Sequence, residues 1–201
     1  MHHSIPLILM AGLMLWASAV DATPIKFVAD LSGANEIPPN SSPASGFASV
    51  VLDPVALTIQ INVTFSGLTT PDMAAHIHCC LPSPFAPVNV GVATTVPAFP
   101  GFPLNVTSGT YSSGVLSLLD AGTYNPAFVA MFPGGIPQAE AALLAGIENG
   151  ETYLNIHTLM FPGGEIRGFL TPEPASVVLL GSVLLGFGLM RLMRRRKLGA
   201  R

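Results

Sequence analysis

Three histidines have the side chains and the spacing to bind a metal ion. His76 and His78 stand two residues apart, so on a β-strand both side chains lie on one face while Ile77 enters the core. His157 lies in a second predicted strand, and its distance from the pair does not follow from the sequence. We expect hydrogen-bonded histidines that fix the sheet and its loop. The alternative is one copper or zinc ion held by the three imidazoles.

Two adjacent cysteines follow the histidine pair directly. Cys79 and Cys80 are the chain's two cysteines, which excludes a conventional disulfide between distant parts of the chain. Adjacent Cα atoms lie about 3.8 Å apart, closer than most disulfides place them. Three states therefore stay open: a vicinal disulfide, free or intermolecularly bonded thiols, and thiolates that bind the metal.

A polar hairpin carries the third histidine. Tyr153, Asn155 and His157 alternate along one face of its first strand. Glu165 and Arg167 share a face on the returning strand. If like faces pair, His157 lies opposite Glu165 or Arg167. The sequence thus predicts a small polar patch, and Cys79, Cys80 or Glu165 would be a further neighbour of the ion in the alternative metal site.

The elements that position these residues are short and mostly β. Alternating hydrophobic residues separated by Gly and Pro turns predict an antiparallel sandwich or barrel of the immunoglobulin or superoxide-dismutase type. One short helix is predicted at Gln138–Ile147. Six prolines between Leu81 and Pro103 predict a long ordered loop. The predicted strands are Ile25–Leu31, Ser45–Leu52, Leu57–Phe65, Met73–His78, Gly109–Leu118, Tyr153–Thr158 and Glu165–Leu170.

The N-terminal segment indicates export. Residues 1–22 resemble a signal peptide, with an apolar stretch from Ile5 to Trp16 and small residues suited to signal peptidase. His2 and His3 replace the usual basic residues. An uncleaved anchor is the alternative.

The C-terminal segment, residues 172–201, indicates sorting to the surface. Pro172-Glu173-Pro174 is followed by an apolar run within residues 175–193 and a basic cluster at 194–197. The run predicts a hydrophobic helix in the membrane, with the basic cluster on the cytoplasmic side. This order resembles the PEP-CTERM signal that exosortase recognises in bacterial surface proteins. A plain membrane anchor is the alternative.

The body between these signals, residues 23–171, is sparsely charged and acidic. It carries two basic residues against nine acidic ones, a net charge of −7, whereas the whole chain has −3. Because no basic surface is available for phosphate groups, we predict no nucleic-acid binding. Cation binding and weak contacts with neutral polysaccharide stay open.

Four segments in combination resemble the CHRD domain, over about residues 27–170. They are Leu31–Pro39, Ala75–His78, Tyr153–Thr158 and Gly164–Gly168. The His-Cys-Cys sequence, with further matching segments after it, resembles a bacterial subfamily that often carries the sorting tail. The resemblance implies an extracellular β-rich domain without established catalytic activity.

We therefore predict a surface-retained protein with a structural, adhesive or binding role, whose partner is exopolysaccharide or another surface protein. No Ser-His-Asp order and no glycan-cleaving carboxylate pair can be argued from the spacings, so no enzyme is predicted. The alternative is a metal-binding redox protein, since the histidine pair resembles that of copper/zinc superoxide dismutases. Three histidines remain once the signal peptide is removed, too few for the two-metal site of that family.

Overall fold

The computed structural model describes residues 24–173. The predicted signal peptide, and the predicted sorting signal from Pro174 onward, lie outside the described residues. Within residues 24–173, no helix has the length and apolar character needed to cross a membrane. The strands are β1 (Ile25–Ser32), β2 (Ser45–Asp53), β3 (Thr58–Ser66), β4 (Asp72–His78), β5 (Gly109–Ser117), β6 (Tyr153–Thr158), β7 (Ile166–Phe169) and β8 (Thr171–Pro172). The helices are α1 (Pro126–Val129) and α2 (Ile136–Glu148), with 3-10 turns at Gly33–Asn35 and Ala121–Thr123.

These strands form one antiparallel sheet that curls into a half-barrel. The strand order is β4-β6-β7-β1-β2-β3-β5, and β8 pairs with β1. The prediction of a mostly β, antiparallel fold is confirmed, in the form of one curled sheet and not of two facing sheets. All seven predicted strands are present, with ends within one residue of the prediction, and α2 is the predicted helix.

The hydrophobic core lies between the concave side of the sheet and α2. Along β3, Ile59, Ile61 and Val63 are buried at alternate positions, as the period of two in the sequence predicts. Leu143 and Ile147 of α2 belong to the same cluster of buried side chains. Burying one such aliphatic side chain contributes roughly 1.5–3 kcal/mol, so this contact holds the helix on the sheet.

Strand β6 is buried on both faces, because the proline-rich loop after β4 folds back over it. In this loop Ala98 pairs with Ala75 of β4, and the Ala93 N–H donates to the carbonyl of Ile77 at 2.9 Å. The N–H of Val90, in the same loop, donates a hydrogen bond to the Tyr153 hydroxyl of β6. As predicted, the loop is ordered and contains no central strand. It encloses the polar side chains of β4 and β6.

Candidate metal centre

Strands β4 and β6 bring the three predicted histidines together. Ile77 is fully buried in the core, so His76 and His78 lie on the other face of β4. Ala74 is opposite His157 in the strand register, which places His157 diagonally across from His76. The ring centroid of His76 lies 4.8 Å from that of His78 and 4.7 Å from that of His157.

The nitrogen atoms of this histidine cluster lie close enough to share one ion. One ring nitrogen from each side chain can be chosen such that all three lie within 4.8 Å of one another. An ion about 2.0 Å from each nitrogen needs them roughly 3.3 Å apart in tetrahedral geometry, so the three rings would move closer together when an ion binds. The three residues are only 5 to 8% exposed. No carboxylate or thiol of residues 24–173 belongs to the group.

Backbone carbonyls fix two of the three rings. The Nδ1–H of His78 donates to the carbonyl of Val90 at 2.7 Å, and that of His157 donates to the carbonyl of Pro162 at 3.0 Å. In each ring the Nε2 lone pair is then free, which is the usual arrangement of a metal-binding histidine. Both Nε2 atoms, and Nδ1 of His76, are buried without a hydrogen-bond partner among the described residues.

Burial keeps the cluster neutral. Burial and, to a smaller extent, the neighbouring imidazoles of His157 and His78 lower the pKa of His76 to about 3. Burial also lowers the pKa of His78 to about 4, against a raising effect of the hydrogen bond to Val90. The pKa of His157 is lowered for the same main reason. At neutral pH the three rings are therefore deprotonated and ready to bind a cation.

Tyr153 and Arg167 lie beside the histidines on the same side of the sheet. The Tyr153 ring stacks on His78, with centroids 4.6 Å apart and planes at 9°. The Arg167 Cζ atom lies 4.5 Å from the Tyr153 centroid. Asn155 pairs with His76 on one side and with Arg167 on the other. A continuous layer of buried polar side chains thus runs from β4 to β7.

Glu165 and Arg167, which the sequence predicts in a small polar patch with His157, are both buried and differ in what they contact. Arg167 is fully buried and lies opposite Asn155, not His157. Glu165 is also fully buried, but its carboxylate turns away from the histidine cluster. It accepts hydrogen bonds from the hydroxyls of Ser42 and Thr158, both at 2.6 Å, and is therefore occupied in fixing loops.

The two cysteines are bonded to each other and not to the histidine cluster. The sulfur atoms of Cys79 and Cys80 form a vicinal disulfide, which was one of the three states left open by the sequence. Both sulfur atoms lie near the carbonyl of Ala142 in α2. The disulfide thus packs on the helix, while the preceding His78 faces the loop.

The first residues of the predicted sorting motif continue the sheet. Pro172 pairs with Phe27 of β1. The Glu173 N–H donates to the carbonyl of Lys26 at 2.8 Å, and the side chains of Lys26 and Glu173 form an exposed ion pair at 2.9 Å. Pro174, the third residue of the motif, lies outside the described residues.

Several residues of the site carry no strong signal of their own in the sequence. Tyr153 and Asn155 can be placed on the His157 face by alternation alone. Val90 and Pro162 act through backbone carbonyls, so their side chains give no indication of the role. Glu36 reaches Arg167 from a distant loop, with Oε2 and Nε 3.8 Å apart, and only the family-like segment around it points to a function.

A half-barrel with a buried polar layer on β4, β6 and β7 is the fold of this domain. The model of the CHRD domain matches residues 27–170, most of the chain. The protein therefore belongs to the CHRD domain family. No curated protein matches the sequence significantly, and no solved structure matches it significantly either.

Proposed function

We propose that this CHRD-domain protein binds one copper or zinc ion outside the cytoplasm through His76, His78 and His157. The observation that supports this proposal is the convergence of three neutral imidazoles whose buried nitrogens lack partners among the described residues. Each unpaired buried polar atom is destabilising by roughly 1–3 kcal/mol. Histidines with a purely structural role would be expected to use these atoms in hydrogen bonds.

The proposed role is that of a binding domain and not of an enzyme. Within residues 24–173, no carboxylate or thiol belongs to the histidine cluster, and the proposed role requires only that the three imidazoles hold the ion. The redox alternative uses the same ion and would require bound copper to change its oxidation state. Bound zinc would exclude the redox role, because zinc has no redox chemistry, whereas bound copper would require a direct test of its redox activity.

We also propose export and retention at the cell surface. Signal peptidase would remove residues 1–22, and exosortase would process residues 172–201 after the segment 175–193 has held the chain in the membrane. The motifs of the sequence support this route, and so does the disulfide between Cys79 and Cys80, since disulfides persist mainly in oxidising compartments.

Adhesion is a second candidate role, favoured by exposed apolar side chains. Leu159 and Met160 are 69% and 62% exposed at the tip of the β6–β7 hairpin, next to the histidine cluster. Exopolysaccharide or another surface protein is the proposed partner. The two roles are compatible, because the apolar tip lies outside the buried layer.

Metal content tests the binding proposal. The full chain should be exported to the periplasm of a bacterial host, purified, and loaded with Cu(I) or Zn(II). We expect one ion per chain in the wild type, and no stoichiometric ion in the double variant His76→Gln/His78→Gln. Tyr153→Phe is the matched control, because it changes the same layer without removing a ligand. A wild type without stoichiometric metal would refute the proposal.

Deletion tests the sorting proposal separately. Removing residues 174–201 leaves β8 intact and should release the protein into the medium of a host that has an exosortase. The matched control deletes residues 198–201 alone, which keeps the motif, the apolar run and the basic cluster and should leave surface retention unchanged. Unchanged surface retention of the deleted chain would contradict the proposal.

A further inference from the structure

A buried guanidinium lies behind the histidine cluster. Arg167 is fully buried, and its Cζ atom lies 4.5 Å from the centroid of the Tyr153 ring. That ring stacks on His78 with a centroid distance of 4.6 Å. Because β6 lies between β4 and β7, the Tyr153 ring separates the two groups. The Arg167 Cζ atom is therefore no more than about 9 Å from the centroid of the His78 ring.

The positive charge of Arg167 is incompletely neutralised. Its Nη1–H donates to the side-chain oxygen of Asn89 at 2.8 Å and its Nε–H to the carbonyl of Asn35, both neutral acceptors. Among the described residues its acidic partner is Glu36, with Oε2 3.8 Å from Nε. Burial raises the pKa of Glu36 to about 7, against a lowering effect of Arg167. At neutral pH a good part of the Glu36 population is thus uncharged.

We infer that the histidine cluster is built to prefer monovalent copper, Cu(I), over divalent ions. This inference rests on the proposed function and names its metal. Three neutral imidazoles contribute no negative charge, and the nearby guanidinium adds positive potential, so a divalent ion is disfavoured more than a monovalent one. Three nitrogen ligands can complete the coordination of Cu(I), whereas Zn(II) would take a fourth ligand such as water, and Cu(II) prefers a tetragonal set.

The size of this change in metal preference follows from the distance between the guanidinium and the ion. With an effective dielectric constant of about 20 and about 10 Å between the guanidinium and the ion, one unit of ionic charge changes the affinity on the order of tenfold. Loss of the Arg167 charge should therefore favour Zn(II) relative to Cu(I) by about that factor. Loss of the Glu36 charge should shift the same ratio in the opposite direction.

The test compares affinities for two ions in the full chain at pH 8, where Glu36 is mostly ionised. Cu(I) affinity is measured anaerobically by competition with a cuprous chelator, and Zn(II) affinity by competition with a chromophoric zinc chelator. We expect the Cu(I)-to-Zn(II) affinity ratio to fall about tenfold in Arg167→Gln, to stay near the wild-type value in Arg167→Lys, and to rise in Glu36→Gln.

Each outcome of this comparison is informative. An unchanged ratio in both Arg167→Gln and Glu36→Gln would overturn the inference, and so would a wild type that binds Zn(II) as tightly as Cu(I). If Arg167→Gln does not fold, Glu36→Gln decides, because it leaves the guanidinium in place. Failure of the proposed function looks different: neither ion would bind the wild type, or binding would persist in His76→Gln/His78→Gln.

Discussion

His78 and Tyr153 are held in one arrangement by the backbone of a single loop residue. The carbonyl of Val90 accepts a hydrogen bond from the His78 ring at 2.7 Å, and the Val90 N–H donates to the Tyr153 hydroxyl at 3.2 Å. The two rings stack nearly in parallel. Tyr153 therefore orients a proposed ligand through both its ring face and its hydroxyl.

Replacing Tyr153 should weaken metal binding more when the aromatic ring is lost than when only the hydroxyl is lost. Removal of the ring in Tyr153→Leu frees His78 to rotate, and the loss of a partner that orients a ligand typically lowers affinity about 10–100-fold. Tyr153→Phe keeps the stacking and should stay within a few fold of the wild type. Competition titration with Zn(II) measures both, after circular dichroism has established that the variants fold. Wild-type affinity in Tyr153→Leu would show that the stacking does not position His78.

Metal binding should stabilise the folded protein. At a free-ion concentration 100 times Kd, the gain is about 2.7 kcal/mol, which for a domain of this size raises Tm by roughly 5–10 °C. A chelator should reverse the shift. In His76→Gln/His78→Gln, calorimetry should detect no shift on addition of the ion, and an equal shift in this variant would place the binding elsewhere.

Glu165 should contribute to stability and not to metal binding. Its carboxylate accepts hydrogen bonds from Ser42, Thr158 and Thr69, and each bond to a charged group contributes about 1.5–3 kcal/mol. Glu165→Ala should therefore lower the free energy of unfolding by roughly 3 kcal/mol or more. Urea denaturation measures this, with the exposed Glu148→Ala as control. Folded Glu165→Ala should still bind one ion, and loss of that ion would mean that Glu165 is a ligand.

Glu36 should make stability depend on pH. Burial raises its pKa from 4.5 to about 7 in the folded protein, so between these values the folded state holds a proton that the unfolded state releases. The stabilisation is fully present below about pH 4.5 and is lost as pH rises to about 7. Relative to Glu36→Gln, the wild type should lose about 1.4 kcal/mol per pH unit in this window. Urea denaturation at several pH values measures the difference, and a difference that does not change with pH would contradict the prediction.

Replacing Gly146 by alanine should destabilise the protein, although this substitution normally stabilises a helix. Alanine in place of glycine inside a helix usually gains up to about 1 kcal/mol. Here the new Cβ would lie 2.6 Å from Sγ of Cys79 and 3.0 Å from Sγ of Cys80, so Gly146→Ala should instead destabilise by roughly 1–3 kcal/mol. In the background Cys79→Ala/Cys80→Ala the penalty should shrink. Equal penalties in the two backgrounds would exclude the sulfur contact as the cause.

Alternation made the strands predictable from sequence. Strand β3 is the clearest case, because Ile59, Ile61 and Val63 repeat with a period of two and are all buried. The same argument places His76 and His78 on one face of β4. These inferences succeed because the pleat of a strand is a local property of the chain.

The surroundings of the histidines were not predictable in the same way. Burial of both faces of β6 depends on a loop that lies about sixty residues earlier in the chain. No pattern within β6 itself predicts that this loop covers the strand. The contacts of Arg167 with Asn35 and Asn89 likewise join distant loops. Whether His157 lies near His76 and His78 depends on the pairing register of β4 and β6. Hydrophobic alternation requires that like faces pair, but several registers satisfy this requirement.

Pairing of β8 with β1 makes the chain enter and leave the domain at the same end. Ile25 begins β1, and Glu173 is bonded to the neighbouring Lys26. Across the sheet, His76 pairs with Asn155, Asn155 with Arg167, and Arg167 with Ser32. His76 is therefore level with Ser32, at the other end of β1. Seven residues of strand separate these levels, about 20 Å or slightly more along the sheet. Whatever is attached after residue 173 therefore joins the domain at the end of the sheet far from the histidine cluster.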